Sequence, residues 1–306
     1  MSNPIINLEH LPKTNKMISR RPDMTKYYLS FCKGKITEET PTTESWLSIL
    51  RLLKLDITDH DKSRVLLGYL KDYGEIVVKI GDSSEIQREF EFSRRLQSIK
   101  GFVKYICAFE CNDNFRNISG AQSQICKGQG KSMQILLMPY FSLKSVASYN
   151  WTHENTDVLK SCLKHSVLTI ISAFYKLNII HGDFHAGNVL LKSTKSANIS
   201  YDILDTVITL KTNGLRTWII DFENTSTVTL DTQYNKIMAM NNFYIDLKKF
   251  FTLLNISIKM IDVRSLVPIE KFINKFLCKS TYMNPDDIIK LLELIDGVAM
   301  LDPQQQ

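Results

Sequence analysis

The sequence predicts an α+β fold with two lobes: a small antiparallel β lobe with one main helix, and a reduced, mainly helical second lobe. Strand-like apolar runs predominate up to residue 140, and helical periodicity predominates after it. A chain of 306 residues that is 44% hydrophobic and 23% charged has enough apolar side chains for one domain with a large buried core. We expect an N-terminal extension over residues 1–42, the β lobe over residues 43–140 and the helical lobe over residues 141–306.

Two apolar runs predict the best-defined strands, Val65–Leu70 and Glu75–Ile80, joined by a hairpin turn. The second run contains a single embedded lysine, Lys79. Upstream, residues 44–54 fit either a short amphipathic helix or the beginning of a first strand, and the pattern does not decide between them.

A helix is predicted over residues 83–96, directly after the strand of Lys79, because a Ser or Asp stands at its start as a cap. Helical spacing places Glu89 on the apolar stripe that faces the sheet, whereas Glu91 points elsewhere. Glu89 is therefore the expected partner of Lys79. Glu85, one turn earlier on the same face, is the alternative.

The remaining elements follow from the same periodicities, and the polar segment over residues 112–131 predicts an exposed loop. In chain order they are strands over residues 102–111 and 133–140, a long amphipathic helix over Asn155–Asn178, a strand over residues 203–210, a helix over Phe243–Phe251, and further helices that include Asp286–Leu294.

Residues 181–188 read His-Gly-Asp-Phe-His-Ala-Gly-Asn, between two apolar runs. Asp183 can accept or orient the proton of an attacking hydroxyl, and the amide oxygen of Asn188 can ligate a magnesium ion. A second apolar run, residues 218–220, delivers the carboxylate of Asp221 at its end. This pattern of oxygen ligands indicates chemistry on phosphate groups.

Taken in chain order, these residues resemble the signature set of the protein-kinase-like superfamily: a strand Lys, a helix Glu, a catalytic Asp and Asn, and a metal Asp. The resemblance implies a two-lobed kinase-like fold with ATP and Mg²⁺ as cofactors. It implies that Lys79 binds the α and β phosphates of ATP and that Glu89 holds Lys79 in place. It makes Asp183 the group that orients the acceptor, and Asn188 and Asp221 the metal ligands.

The same resemblance identifies residues 136–141 as the hinge between the lobes. It implies that Met138 guards the back of the adenine pocket, and that Tyr140 and the backbone of Phe141 lie beside the base. His185 stands where Ser/Thr protein kinases commonly place a lysine, and a neutral imidazole there can donate a hydrogen bond to the γ-phosphate. Asp246 and His181 are expected to steady the catalytic loop from behind.

Two departures refine the resemblance. The phosphate-covering loop is expected over residues 58–63, which contain no glycine and two aspartates. The insertion at residues 192–216 and the reduced second lobe make the chain resemble kinases of the haspin and poxvirus type, which suggests a viral or effector kinase. The predicted function is transfer of the γ-phosphoryl of ATP to a protein Ser or Thr hydroxyl.

Three alternatives stay open. The loop at residues 181–188 also resembles that of aminoglycoside and choline kinases, which phosphorylate small alcohols. The glycine-free loop suggests a catalytically inactive binding module, or pseudokinase. Finally, His181, Asp183 and His185 alternate as the ligands of a metal site would.

Composition and charge indicate which classes of binding partner to expect. The formal net charge of +6 is scattered, so nucleic-acid binding is not indicated. The six cysteines show no metal-type or disulfide-framework spacing, and neither a signal sequence nor an apolar run of about 18 residues is present. We expect a soluble intracellular protein, cytoplasmic or in the host cell or virion if viral, without membrane partners.

Overall fold

The chain has a mixed α+β fold, as the sequence predicts. The computed structural model describes residues 50–60, 63–70, 74–110 and 132–301. Strands predominate before residue 140, and the long helices follow it. The predicted extension over residues 1–42 and the predicted loop over residues 112–131 lie outside the described residues.

The N-terminal half is built on one antiparallel five-stranded sheet in the order β1-β2-β3-β5-β4. The two apolar runs of the sequence are its second and third strands, as expected. The ambiguous segment over residues 44–54 enters the first strand where it is described, so the strand alternative is right for those residues. The strands are β1 (Leu50–His60), β2 (Ser63–Leu70), β3 (Gly74–Asp82), β4 (Cys107–Glu110) and β5 (Met133–Pro139).

The strand predicted over residues 102–111 is shorter than expected, because only its last residues pair in the sheet as β4. Phe102 instead forms an isolated parallel bridge with Ile219, and the backbone N–H of Val103 donates to the Ile219 carbonyl over 3.0 Å. The apolar run therefore serves two partners, one in the sheet and one in the second half of the chain.

One helix, α1 (Ser83–Leu96), packs on this sheet. Asp82 caps it, since its carboxylate accepts from the backbone N–H of Ser84 over 2.9 Å. The helix buries an apolar stripe, and Glu89 lies on that stripe with only 2% of its surface exposed. The helical spacing in the sequence therefore located Glu89 correctly.

The long helix predicted after the sheet is α2 (Thr156–Leu177), which is buried along most of its length. It ends at Asn178, whose φ of +53° places it in the left-handed region that terminates helices. The short strand β6 (Ile179–Ile180) follows, and leads into the loop over residues 181–188.

That loop ends in a single 3₁₀ turn, Ala186–Asn188, and continues as β7 (Val189–Ser193). β7 pairs antiparallel with the later strand that leads to Asp221. The two polar segments of the sequence, residues 181–188 and the end of that later strand, are therefore joined by a β ladder.

The insertion over residues 192–216 forms a hairpin, which corrects the prediction of a single strand over residues 203–210. Its strands are β8 (Asn198–Ile203) and β9 (Thr206–Lys211), and Leu204 and Asp205 form the turn with φ values of +50° and +60°. Neither turn residue is glycine, so no glycine indicates this turn in the sequence. The next strand, β10 (Leu215–Ile219), pairs with β7.

The described C-terminal part contains three helices, of which the first includes the helix predicted over Phe243–Phe251 and the last the helix predicted over Asp286–Leu294. They are α3 (Gln233–Ser257), α4 (Val263–Lys279) and α5 (Pro285–Asp296), and a short strand β11 (Ser226–Thr227) that pairs with β6 precedes them. Aromatic stacking joins α3 to its neighbours, since Phe243 stacks on Phe174 of α2 at a centroid distance of 4.2 Å. Within the described ranges no helix has both the length and the apolar character needed to cross a membrane.

Candidate active site

Side chains from three separate segments, including the strand of Lys79 itself, meet around the Lys79 ammonium group. Its ammonium group on β3 donates to Glu89 Oε2 of α1 over 2.8 Å. Two further carboxylates stand 3.8 Å from the same nitrogen: Asp221 Oδ1 and Glu223 Oε2, which follow β10. The expected contact between Lys79 and Glu89 is present. The carboxylate predicted to bind metal lies beside it.

Tyr105 links the same groups and was missed by sequence reasoning. Its hydroxyl donates to Glu89 Oε1 over 2.8 Å and accepts from the backbone N–H of Asp221 over 3.1 Å. The side chain is completely buried, and its ring packs 5.2 Å from that of Phe222. The available signal was one polar-tipped aromatic residue within an apolar run.

Burial and charge act against each other in this cluster. Burial of Lys79 lowers the pKa, but the negative charges of Glu89 and Asp221 outweigh it and the pKa rises above its ordinary value. Lys79 is therefore a permanent ammonium at neutral pH. Burial raises the pKa of Glu89, while the hydrogen bonds from Lys79 and Tyr105 oppose that rise.

The loop over residues 181–188 is held in a fixed conformation by its own groups. The Asn188 side-chain amide donates to the Asp183 carbonyl over 3.1 Å, and the Asn188 carbonyl accepts from the backbone N–H of Ile220 over 3.0 Å. His185 Nδ1 accepts from the backbone N–H of Gly187 over 3.1 Å. Asn188 is thereby fixed both to Asp183 and to the residue that precedes Asp221.

Asp246 and His181 lie behind this loop, where they were expected. Asp246 on α3 accepts from the backbone N–H of Gly182 over 2.7 Å. His181 bonds the Ile220 carbonyl through Nε2 over 2.9 Å, and its Nδ1 accepts from the backbone N–H of Asp183 over 3.3 Å. Burial raises the pKa of Asp246 and lowers that of His181.

Gly182 occupies a position that only glycine fits comfortably. Its φ is +80°, and a Cβ atom there would collide with the backbone carbonyl of Asn224. The loop therefore turns tightly against the segment that follows Asp221.

A lysine from α3, Lys249, forms an ion pair with Asp183 Oδ1 and was also missed. His185 Nε2 stands 3.5 Å from the other carboxylate oxygen. Burial of Asp183 raises the pKa, but the hydrogen bond and charge of Lys249 reverse this, so the net shift is downward. The available signal was spacing: Lys249 follows Asp246 by three positions, and residues three apart on a helix share a face.

The geometry around Asp221 fits a magnesium ligand. The residue has a φ of +67°, and its Oδ1 atom is buried without accepting a hydrogen bond from any described residue. Asn188, also buried, offers an amide oxygen from the adjoining segment. Mg²⁺ is commonly held by one or two carboxylates together with substrate phosphates, so this sparse set of oxygens suits it.

The alternative metal site at His181, Asp183 and His185 is not supported. Both ring nitrogens of His181 are already engaged in hydrogen bonds. Nowhere in the described ranges do three or more His, Cys, Asp or Glu side chains form a group that could hold a metal ion.

The residues expected to form the hinge lie at the end of β5, which pairs with the strand of Lys79, and directly after it. Met138 pairs with Val77 across the β3–β5 ladder, and Leu136 stands directly opposite Lys79. Residues opposite each other share a sheet face, so Met138 lies on the face of Lys79. The fully buried Leu136 is the nearer neighbour across the ladder.

Tyr140 and Phe141 come directly after the last residue of β5. Tyr140 is 37% exposed. The Phe141 ring packs 6.1 Å from that of Trp218 on β10, so this side chain turns toward the strand that leads to Asp221. In the segment over residues 58–63, expected to cover phosphates, β1 ends at His60 and β2 begins at Ser63, while residues 61–62 lie outside the described residues.

Comparison with protein-family models finds no family that matches the chain, and comparison with curated proteins finds no match either. What the site can do chemically therefore follows from its own side chains. They comprise one ammonium among carboxylates, an amide oxygen near a buried carboxylate oxygen, and a carboxylate flanked by a lysine and a histidine.

Proposed function

We propose that this chain is an ATP- and Mg²⁺-dependent phosphotransferase with a two-lobed protein-kinase-like fold, which transfers the γ-phosphoryl group to a Ser or Thr hydroxyl of a protein. The observation that carries the proposal is the cluster at Lys79, where Glu89 and Asp221 meet one ammonium group although they lie far apart in the sequence. A surface lysine has no physical reason to gather carboxylates from separate segments, one of them fully buried.

Each residue has a distinct role in this proposal. Lys79, fixed by Glu89, binds the α and β phosphates. Asn188 and Asp221 hold Mg²⁺, which when bound neutralises charge on the triphosphate. Asp183 orients the acceptor hydroxyl.

Transfer requires one bond to form and one to break. The acceptor oxygen bonds to the γ-phosphorus as the bond to the β,γ-bridging oxygen breaks, ADP leaves, and the hydroxyl proton passes by way of Asp183 to solvent. Lys249 and His185, on the two sides of the Asp183 carboxylate, fix its direction. Catalysis then depends on position and charge rather than on a covalent enzyme intermediate.

The principal alternative is transfer to a small alcohol, favoured by the similarity of residues 181–188 to the loop of aminoglycoside and choline kinases. The pseudokinase alternative draws on the glycine-free segment over residues 58–63. The presence of all five polar residues of the signature set argues for activity.

Two measurements test the proposal. A thermal shift by ATP that depends on Mg²⁺ is expected for the wild type and is expected to be lost in Lys79→Met. Labelled ATP incubated with protein, aminoglycoside and choline acceptors is expected to yield a labelled product that is absent with Asp183→Asn, although that variant still binds nucleotide.

Asp157→Asn is the matched control, because Asp157 lies exposed in the first turn of α2. If Asp183→Asn turns over as fast as this control, Asp183 does not orient the acceptor hydroxyl. If the wild type fails to bind ATP with or without Mg²⁺, the whole proposal is refuted.

A further inference from the structure

Helix α3 exposes a row of large apolar side chains although its opposite side is core. Tyr234, Met238 and Ile245 are 70%, 41% and 51% exposed. At about 100° per residue these three positions fall within about 40° of one another, so they form one stripe along the helix. With a rise of about 1.5 Å per residue, the stripe is about 16 Å long from Ile245 to Tyr234.

The stripe runs along α3 toward the candidate active site. Lys249, one helical turn after Ile245, contacts Asp183, and Asp246 on the same helix binds the backbone of the catalytic loop. Residues 224–232 are all that separates Glu223 from the start of α3, and they leave the stripe exposed.

Charge changes along the stripe. Lys248 and Lys249 flank Ile245 at the end near Asp183, and Lys248 forms no ion pair with any described residue. The only carboxylate of α3, that of Asp246, is buried. At the far end, the carboxylate of Asp231 accepts from the Asn235 side chain over 2.6 Å. Cations therefore lie near the acceptor site, and apolar surface lies away from it.

We propose that this stripe of α3 binds the protein acceptor as an extended peptide, with an acidic residue next to the Ser or Thr and an apolar residue farther along. An extended chain covers about 3.3 Å per residue, so a segment of about five residues spans the distance from Ile245 to Tyr234. The acidic residue lies against Lys248 and the apolar residue against Met238 and Tyr234. This inference rests on the proposed phosphotransfer and identifies its acceptor class.

The test uses the full chain and three synthetic peptides around one serine. The first has an adjacent glutamate and a leucine four or five residues away on either side, the second replaces the leucine by serine, and the third replaces the glutamate by lysine. We expect kcat/KM for the first peptide to exceed that for each of the others by about tenfold. Met238→Asp and Tyr234→Asp are expected to abolish the preference for leucine.

Ile289→Asp is the matched control, because Ile289 on α5 is also 41% exposed but lies off the stripe. It is expected to keep the wild-type preference. Mg²⁺-dependent ATP binding is measured in every variant and is expected to stay at the wild-type level, because the hydrogen-bond and ion-pair partners of Lys79 and Asp221 do not include the substituted residues.

The outcomes separate the two proposals. Equal rates on all three peptides, or transfer to small alcohols alone, would overturn the docking surface while leaving the phosphotransferase intact. The docking surface would also be overturned if the wild type forms dimers and Met238→Asp is monomeric, because the stripe would then be a contact between two copies of the chain. Absence of ATP binding and of any transfer would overturn both.

Discussion

Replacing Tyr105 by phenylalanine removes one oxygen that serves two partners. Glu89 Oε1 loses a donor, and the backbone N–H of Asp221 loses its acceptor. The ring remains, so packing against Phe222 is preserved and the change isolates the hydroxyl. Because Tyr105 is fully buried, water does not replace the lost bonds.

The expected cost follows from these two bonds. A hydrogen bond to a charged group contributes about 1.5–3 kcal/mol, and one between neutral groups contributes about 1 kcal/mol. Tyr105→Phe is therefore expected to lower the free energy of unfolding by about 3 kcal/mol. For a chain of this size that corresponds to a fall in Tm of about 5 °C.

The assay is urea unfolding of wild type, Tyr105→Phe and Tyr69→Phe, with and without Mg²⁺ and ATP. Tyr69 is an exposed tyrosine on β2 and serves as the control, with an expected change near zero. The stabilisation by nucleotide is also expected to shrink in Tyr105→Phe, because Glu89 then holds Lys79 less firmly. A Tyr105→Phe protein as stable as the control would refute the assigned network.

Three further predictions concern other contacts. Lys249→Met is expected to lower kcat about tenfold or more with little change in ATP binding, because the ion pair with Asp183 is lost. Lys249→Arg is expected to keep most of the wild-type kcat. An unchanged kcat in Lys249→Met would contradict the role of the ion pair. Burial lowers the pKa of His165 to about 4, so the unfolded chain takes up a proton first. Stability from this group is complete above about pH 6.5 and falls by about 3 kcal/mol toward pH 4, a slope that urea unfolding should find missing in His165→Gln. Gly182→Ala is expected to lower Tm far more than Gly214→Ala, because both have positive φ but only at Gly182 does a Cβ atom meet the Asn224 carbonyl; equal losses would argue against that collision.

Local patterns were sufficient for much of the fold and for part of the site. The alternation of apolar residues around Lys79 and the helical spacing of Glu89 each depend on a short window of sequence, so strand, helix and facing side chain followed from them. The choice of Glu89 over Glu85 agrees with the 2.8 Å contact to Lys79.

Contacts between distant segments could not be foreseen in the same way. Tyr105 meets the backbone of a residue 116 positions later, and Lys249 meets one 66 positions earlier. Nothing in the local sequence specifies such pairs. The hairpin turn at Leu204 and Asp205 was not predicted for a different reason: its positive φ values fall on residues other than glycine.

The neighbourhood of Lys79 carries a surplus of negative charge. One ammonium group faces three carboxylates within 3.8 Å, those of Glu89, Asp221 and Glu223. A bare triphosphate approaching this pocket meets strong repulsion from like charge, whereas pairing with a divalent cation removes part of its negative charge and weakens that repulsion. The electrostatics of the pocket therefore favour entry of the nucleotide together with its cation. Chelation of divalent ions is expected to weaken ATP binding as well as transfer.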